Sequence, residues 1–289
     1  MESGKERVAV VTGASSGIGK EVAKALAALG WRVIGTGRDR ARIDLAEAQI
    51  RQASRRGRID MLRADLSLMA EAKRLAGRIA GLTDRVDVLI NNAGGMASGL
   101  EMTSEGCEAN FAGNHLGPFL LTRRLLPLLR AAAAEAPKGT VRILNTASDA
   151  SEMIASINLD DMQNLANFSP GLAYCTGKLA NVLFARALAK RLAGDGIVAH
   201  SVHPGAVDSN FFSYAAADTQ ERMRALPKVS EEEGADTLIW LATGEEGGAG
   251  SGGYWYQRKP RAPNPLADDD ALVDRFWEES EKLVSRAGA

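Results

Sequence analysis

Tyr174 and Lys178 stand four residues apart in Tyr174-Cys175-Thr176-Gly177-Lys178, a spacing that puts both side chains on one face of a helix. A free tyrosine has a pKa of about 10, too high to exchange protons readily at neutral pH. A fixed ammonium beside it favours the phenolate and lowers that value, which makes a usable acid/base. Such pairs are common on helices that do no chemistry, so the weight of this one comes from its surroundings. A second chemical signal is the Gly-rich run Thr12-Gly13-Ala14-Ser15-Ser16-Gly17-Ile18-Gly19, set between an apolar run and an amphipathic stretch. Glycines there let the backbone turn tightly and approach a pyrophosphate, which rests on the unpaired N–H groups and positive end of the following helix. Gly13, Ser15, Ser16, Gly17, Ile18 and Gly19 are therefore candidate ligands of a dinucleotide.

Which dinucleotide is decided at the end of the second apolar run, where an acid binds the ribose hydroxyl of NAD(H). That position is Gly37 in Gly35-Thr36-Gly37-Arg38-Asp39, and Arg38 follows it. A guanidinium offers a planar fork of donors and a permanent charge, which suits a 2′-phosphate. NADP(H) is therefore expected over NAD(H). The alternative is a solvated Arg38, with Asp39 merely capping the next helix. Asp65-Leu66 follows the third apolar run and Asn91-Asn92-Ala93-Gly94 the fourth. Both lie where ligands of open α/β sheets bind, and Asp65 is either an acceptor for an adenine amine or a helix cap.

These residues need a scaffold, and short apolar runs alternating with amphipathic stretches provide one. The runs are 8–11, 32–34, 59–62, 86–90, 141–144 and 198–202. Helical spacing covers 16–29, 41–55, 68–79, 107–130 and 172–192, and a further helix is expected near 231–241. Right-handed crossovers then predict an α/β fold, a doubly wound parallel sheet of Rossmann type with helices on both faces. Its seven strands take the order 3-2-1-4-5-6-7, with the last near Gly253–Tyr256. One domain spans 1–289: residues 1–145 mainly bind cofactor, and 146–289 carry catalysis, cover the substrate and end in a helical tail.

Composition narrows the rest. With 35 basic and 36 acidic residues the formal charge is −1, so no nucleic acid or anionic surface is expected as partner. Cys107 and Cys175 lie far apart, and His115, His200 and His203 do not join them at ligand spacing, so no metal is expected. The residues from Met1 to Lys5 run straight into an apolar strand without an anchor segment, which makes the cytoplasm the expected compartment. A small molecule is the expected partner, and a homodimer is left open. The segments leaving the strand ends carry Met96, Met153, Phe168, Phe211, Phe212, Tyr214 and Trp255, an apolar set that suits a bulky hydrophobic carbonyl or secondary alcohol.

Four ordered motifs resemble those of the short-chain dehydrogenase/reductase family over nearly the whole chain. Thr12 to Gly19 is similar to its TGxxxGxG motif, Asn91 to Gly94 to its NNAG motif, and Tyr174 to Lys178 to its YxxxK motif. Ile143-Leu144-Asn145-Thr146-Ala147-Ser148 resembles the strand that ends in the catalytic serine, with Ala147 where the family usually shows a first serine. Asn114 matches the helix asparagine, with Asn110 a nearby competitor, and His203-Pro204-Gly205 matches the segment along the nicotinamide. Asn114–Thr122, Lys178–Phe184, Trp277–Leu283 and the long insert before Tyr174 resemble the retinol dehydrogenase-like branch.

The resemblance implies a catalytic set of Tyr174, Lys178, Ser148 and Asn114. Tyr174 exchanges the proton of the substrate oxygen, Ser148 holds that oxygen, Lys178 binds the ribose hydroxyls, and Asn114 supports a relay water. It adds Asn92, Ala93, Gly94, Pro204, Gly205, Val207 and Ser209 to the cofactor contacts. Because the membrane anchor of several retinol dehydrogenases is missing, retinoid is not the expected substrate. Two rivals remain: an NADP(H)-binding sensor or scaffold without turnover, and an epimerase, dehydratase or ring reductase on the same fold.

Overall fold

The computed structural model describes residues 6–54, 57–208, 215, 217–225 and 227–288, with backbone alone at 218 and 222–224. Among these, eight strands form one sheet in the order β3-β2-β1-β4-β5-β6-β7-β8. They are β1 (Val8–Val11), β2 (Arg32–Gly37), β3 (Ile59–Arg63), β4 (Val88–Asn91), β5 (Arg142–Thr146), β6 (Val198–Val202), β7 (Tyr254–Tyr256) and β8 (Lys259–Pro260). The first seven pair in parallel, as the alternating pattern predicts. β1, β2, β4, β5 and β6 are buried along their whole length, so their apolar residues cluster together rather than alternate with exposed polar ones.

The helices are α1 (Gly17–Ala28), α2 (Arg40–Ala53), α3 (Met69–Ala80), α4 (Ala109–Phe111), α5 (Gly117–Ala133), α6 (Pro170–Arg191), α7 (Ala217–Ala225), α8 (Glu231–Thr243) and α9 (Asp270–Arg286). One core cluster joins the sheet to α1, α2 and α8, and the other joins it to α3, α5, α6 and α9. No helix among the described residues is long and apolar enough to cross a membrane.

Two departures from the sequence pattern matter for the site. The first is β8, which pairs antiparallel with β7. Its turn places Gln257 and Arg258 at φ +49° and +59°, the left-handed region, where hairpins normally use Asn or Gly. The turn is held down from outside. Arg258 N donates to Thr237 Oγ1 at 3.1 Å, and its guanidinium pairs with Asp236 of α8.

The second departure replaces the single helix expected over 107–130. Between α4 and α5 the chain forms a π-helix over Ala112–Leu116. Wide turns of this type tend to occur at functional sites. Gly117 sits so close to the Leu66 carbonyl that an added Cβ would collide with it, which pins this stretch against the β3–α3 connection.

α9 lies across α6 and the π-helix. Trp277 packs its ring 4.8 Å from Phe119, Phe276 packs 4.8 Å from His115, and Ser280 Oγ bonds His115 Nε2 at 2.8 Å. The C-terminal tail is thus part of the core that supports the helix carrying Asn114.

Candidate active site

The strand order reverses between β1 and β4, and the Gly-rich turn occupies the crevice at their carboxyl ends. Gly13 and Gly17 take φ values of +69° and +59°, which L side chains rarely adopt. A Cβ on Gly19 would lie 2.5 Å from both Asn92 Nδ2 and the Gly13 carbonyl. α1 begins here with Ser16 as N-cap, whose side chain makes no capping bond, and no acid stands in the first turn. The result is a glycine cradle with open helical N–H donors, which fits a dinucleotide pyrophosphate. Thr12 ties the cradle to β4: its Oγ1 accepts from Asn92 N and Ala93 N, both at 2.9 Å. Asn92 Oδ1 in turn accepts from Thr146 Oγ1 of β5 at 3.2 Å.

Gly37 faces this turn. A Cβ there would lie 2.6 Å from Ser15 Oγ, 2.7 Å from Ser15 Cβ and 3.0 Å from Ile43 Cγ1. The space an acid would need is therefore filled by Ser15. Arg38 is exposed at the strand end beside it. Asp39 accepts from Arg42 N at 2.8 Å, so it does cap α2, and this leaves Arg38 still available. Asp65 Oδ1 accepts from the backbone N–H and the hydroxyl of Ser67 at 2.9 and 2.8 Å, a local turn rather than a helix cap, since the N-cap of α3 is Leu68. Leu66 is buried in the core.

Tyr174, Lys178, Ser148 and Asn114 are brought to one place. α6 carries Tyr174 and Lys178, and the Lys178 ammonium lies 5.7 Å from the Tyr174 ring centroid and donates to the Thr146 carbonyl at 3.3 Å. Ser148 ends the β5 segment and caps the 3-10 turn Asp149–Met153, accepting from Ala150 N at 3.2 Å. Tyr174 is hydrogen-bonded with Ser148.

Burial pushes the Tyr174 phenol above its ordinary value of 10.0, the Ser148 bond pulls it down, and the nearby Asp149 charge pushes it up again. The expected lowering by the lysine alone is therefore overturned: desolvation of the phenolate is the larger effect. Burial also brings Lys178 down from 10.5 to about 8.

Asn114, on the π-helix, donates through Nδ2 to the Gly95 and Asn110 carbonyls at 2.9 and 2.8 Å. Its buried Oδ1 has no protein partner among the described residues and sits beside Gly94, where an added Cβ would collide with it. That same Cβ would lie 3.6 Å from Lys178 Nζ. Asn110 is occupied elsewhere, its Oδ1 accepting from Ala97 N at 2.7 Å and its Nδ2 donating to Glu108 at 2.9 Å. Asn114 is thus the asparagine next to the lysine.

Pro204 and Gly205 follow β6, and Val207 forms a parallel bridge with Val229. Ser209, Phe211, Phe212 and Tyr214 lie outside the described residues. Met96 is buried and Phe168 half-buried. Met153 is 77% exposed, too open to line an enclosed pocket without rearrangement.

Trp255 is a correction. Strand alternation sends Tyr254 toward Glu152 but Trp255 toward α8. There its ring packs 5.4 Å from Trp240, and its Nε1 donates to His200 at 3.2 Å. In its place the β7–β8 hairpin contributes polar groups. Arg261 donates to Glu152 at 2.7 and 2.9 Å, and Tyr256 lies 4.7 Å from the His203 ring.

Asp149, directly after Ser148, was the residue not singled out from the sequence. It accepts from Ser148 Oγ at 3.0 Å, and its backbone N donates to His203 Nδ1 at 3.2 Å. The only signal for it was its place in the chain, an acid immediately following a candidate catalytic serine.

Comparison with known proteins agrees with this geometry. The family model described as short chain dehydrogenase matches residues 7–220. Human retinol dehydrogenase 12 is 36% identical over 279 residues, covering 96% of this chain and 86% of its own. Human polyprenol dehydrogenase is 32% identical over 280 residues, covering 95% and 84%. Among solved structures, the Pseudomonas aeruginosa RhlG/NADP active-site complex superposes with a TM-score of 0.68 at 31% identity, covering 86% of this chain and 93% of that one.

Proposed function

Because this chain belongs to the short-chain dehydrogenase/reductase family, in its retinol dehydrogenase-like branch, we propose that it is an NADP(H)-dependent oxidoreductase interconverting a carbonyl and an alcohol on a bulky, mainly apolar small molecule. The observation that carries this reading is the gathering of Tyr174, Ser148 and Lys178 beside a glycine cradle shaped for a pyrophosphate. When bound, the nicotinamide supplies or takes up the hydride. The chain's own residues do the rest. Gly13 and residues 15–19 hold the pyrophosphate, Arg38 takes the 2′-phosphate, and Lys178 binds the ribose hydroxyls. Ser148 orients the substrate oxygen, and Tyr174 gives it a proton or takes one away. A phenol held above its ordinary pKa stays protonated at neutral pH, the form that carbonyl reduction consumes.

Support for NADP(H) comes from Gly37, whose surroundings leave no room for an acid, and from the exposed guanidinium next to it. Support for an apolar substrate comes from Met96 and Phe168 and from relatives named for retinol and polyprenol, both long apolar alcohols. The test is a panel of small polar and large apolar aldehydes, ketones and quinones with NADPH and with NADH. Large apolar carbonyls should lead by about tenfold in kcat/KM, roughly what burying two further methylenes provides. A lead of that size for sugars or small keto acids, or equal use of NADH, would overturn the corresponding half of the reading.

A further inference from the structure

Resting on the reductase reading, we propose that Asp149 is a specificity-determining residue that excludes anionic carbonyls from the reacting position. The geometry is local and compact. Ser148 Oγ donates to Asp149 Oδ1 at 3.0 Å. A substrate oxygen held by Ser148 lies about 2.8 Å from the same hydroxyl, so it stands within roughly 6 Å of the Asp149 carboxylate. A carboxylate attached to the reacting carbon shares that neighbourhood. The Asp149 side chain is 58% exposed, so it stands at the open side of the site rather than behind it.

The groups around Asp149 offset its charge only in part. The His203 Nε2 is 3.7 Å from Asp149 Oδ2, but its Nδ1 accepts from Asp149 N, and burial keeps the ring below its ordinary pKa and neutral. Arg261 is committed to Glu152 through both Nε and Nη2, and Tyr254 also donates to Glu152, at 3.4 Å. Lys178 is buried on α6 and donates to the Thr146 carbonyl. Cys175 and Tyr174, also on α6, have their thiol and phenol pushed up by burial and are neutral. A second anion entering beside Ser148 therefore meets a negative charge that Arg261 offsets only in part.

The experiment compares a matched pair, benzoylformate and its neutral ethyl ester, with NADPH and the full-length protein. Wild type should favour the ester, and the ratio of ester to acid kcat/KM should fall by about tenfold or more in Asp149→Asn, mainly through the KM of the acid. Any effect of the substitution on Ser148 itself acts on both substrates and cancels in the ratio. Raising the salt concentration should narrow the wild-type ratio but not that of the variant, because screening acts only on charge. Asp149→Ser, which removes the charge in a smaller side chain, should behave like Asp149→Asn. A ratio unchanged within about twofold in both variants would overturn the proposal while leaving the reductase reading intact. Turnover of neither compound, nor of any carbonyl in the wider panel, would overturn the reductase reading and this inference with it.

Discussion

Lys178 shows how single residues are set against stability for function. Burial brings its ammonium down from the ordinary 10.5 to about 8. The fold therefore disfavours the proton, and the cost is fully present below pH 8 and recedes as pH rises toward 10.5. A depression of this size is worth about 3 kcal/mol. Replacing the residue by Met should remove that cost, since the Thr146 carbonyl keeps its second donor, Asn181 Nδ2 at 3.0 Å. Lys178→Met is expected to be more stable than wild type at pH 7 by up to about 3 kcal/mol, with the gap closing toward pH 10.5. Urea unfolding at several pH values checks this, and a gap that does not change with pH would count against a buried ammonium. Arg38 makes the opposite case, an exposed residue whose proposed work is on a ligand. Arg38→Ala should weaken NADPH binding by about ten- to a hundredfold, as expected for one lost charge-assisted bond, and leave NADH binding nearly unchanged. Equal loss for both cofactors in a calorimetric titration would remove the 2′-phosphate assignment. At this scale the Tyr174–Lys178 spacing and the glycine run were visible in the sequence, whereas Ser148 came from the family resemblance. Asp149 was not legible, because its meaning lies in two hydrogen bonds, to Ser148 and His203, that no spacing encodes.

At the scale of elements, the β2–α2 junction and the Gly-rich turn form one unit. An acid introduced at Gly37 has to displace Ser15, whose Oγ and Cβ occupy its place. Gly37→Asp alone is therefore expected to lose NADPH affinity without gaining NADH affinity, whereas Gly37→Asp combined with Ser15→Gly should gain NADH binding. Dissociation constants of both cofactors for the single and double variants test this, and a full switch by the single variant would contradict the packing argument. The elements that sequence reading missed are those without a local signal. β8 is two residues long and contains a proline, and its turn uses Gln257 and Arg258 where Asn and Gly are the usual markers. The π-helix hides inside an apolar pattern that an unbroken helix would satisfy equally well, although it carries Asn114, whose Oδ1 lies beside Gly94 near the Lys178 ammonium. Trp255 was misassigned because a three-residue strand has no visible phase until its register with β6 is known.

For the whole molecule, the C-terminal helix closes the second core and backs the catalytic face. Trp277 packs on Phe119 of α5 and Phe184 of α6, with the Arg191 guanidinium 4.5 Å from its ring. Trp277→Ala should lower stability by about 3–5 kcal/mol through the cavity it leaves, measurable as a shift in the urea midpoint. A loss under about 1 kcal/mol would show that α9 is a loosely attached tail rather than part of the core. The doubly wound order was legible because buried parallel strands and amphipathic helices alternate plainly, while the attachment of α9 depends on aromatic contacts between distant segments. The central claim is that Tyr174 carries the proton in a nicotinamide-dependent reduction. It is tested most directly by following NADPH absorbance with a large apolar ketone for wild type and Tyr174→Phe, with NADPH binding measured on the same samples. The expected result is one NADPH oxidised per alcohol formed by wild type, and in the variant a rate lower by about 100-fold or more with cofactor affinity nearly intact. A variant that keeps more than about a tenth of the wild-type rate would contradict the assignment.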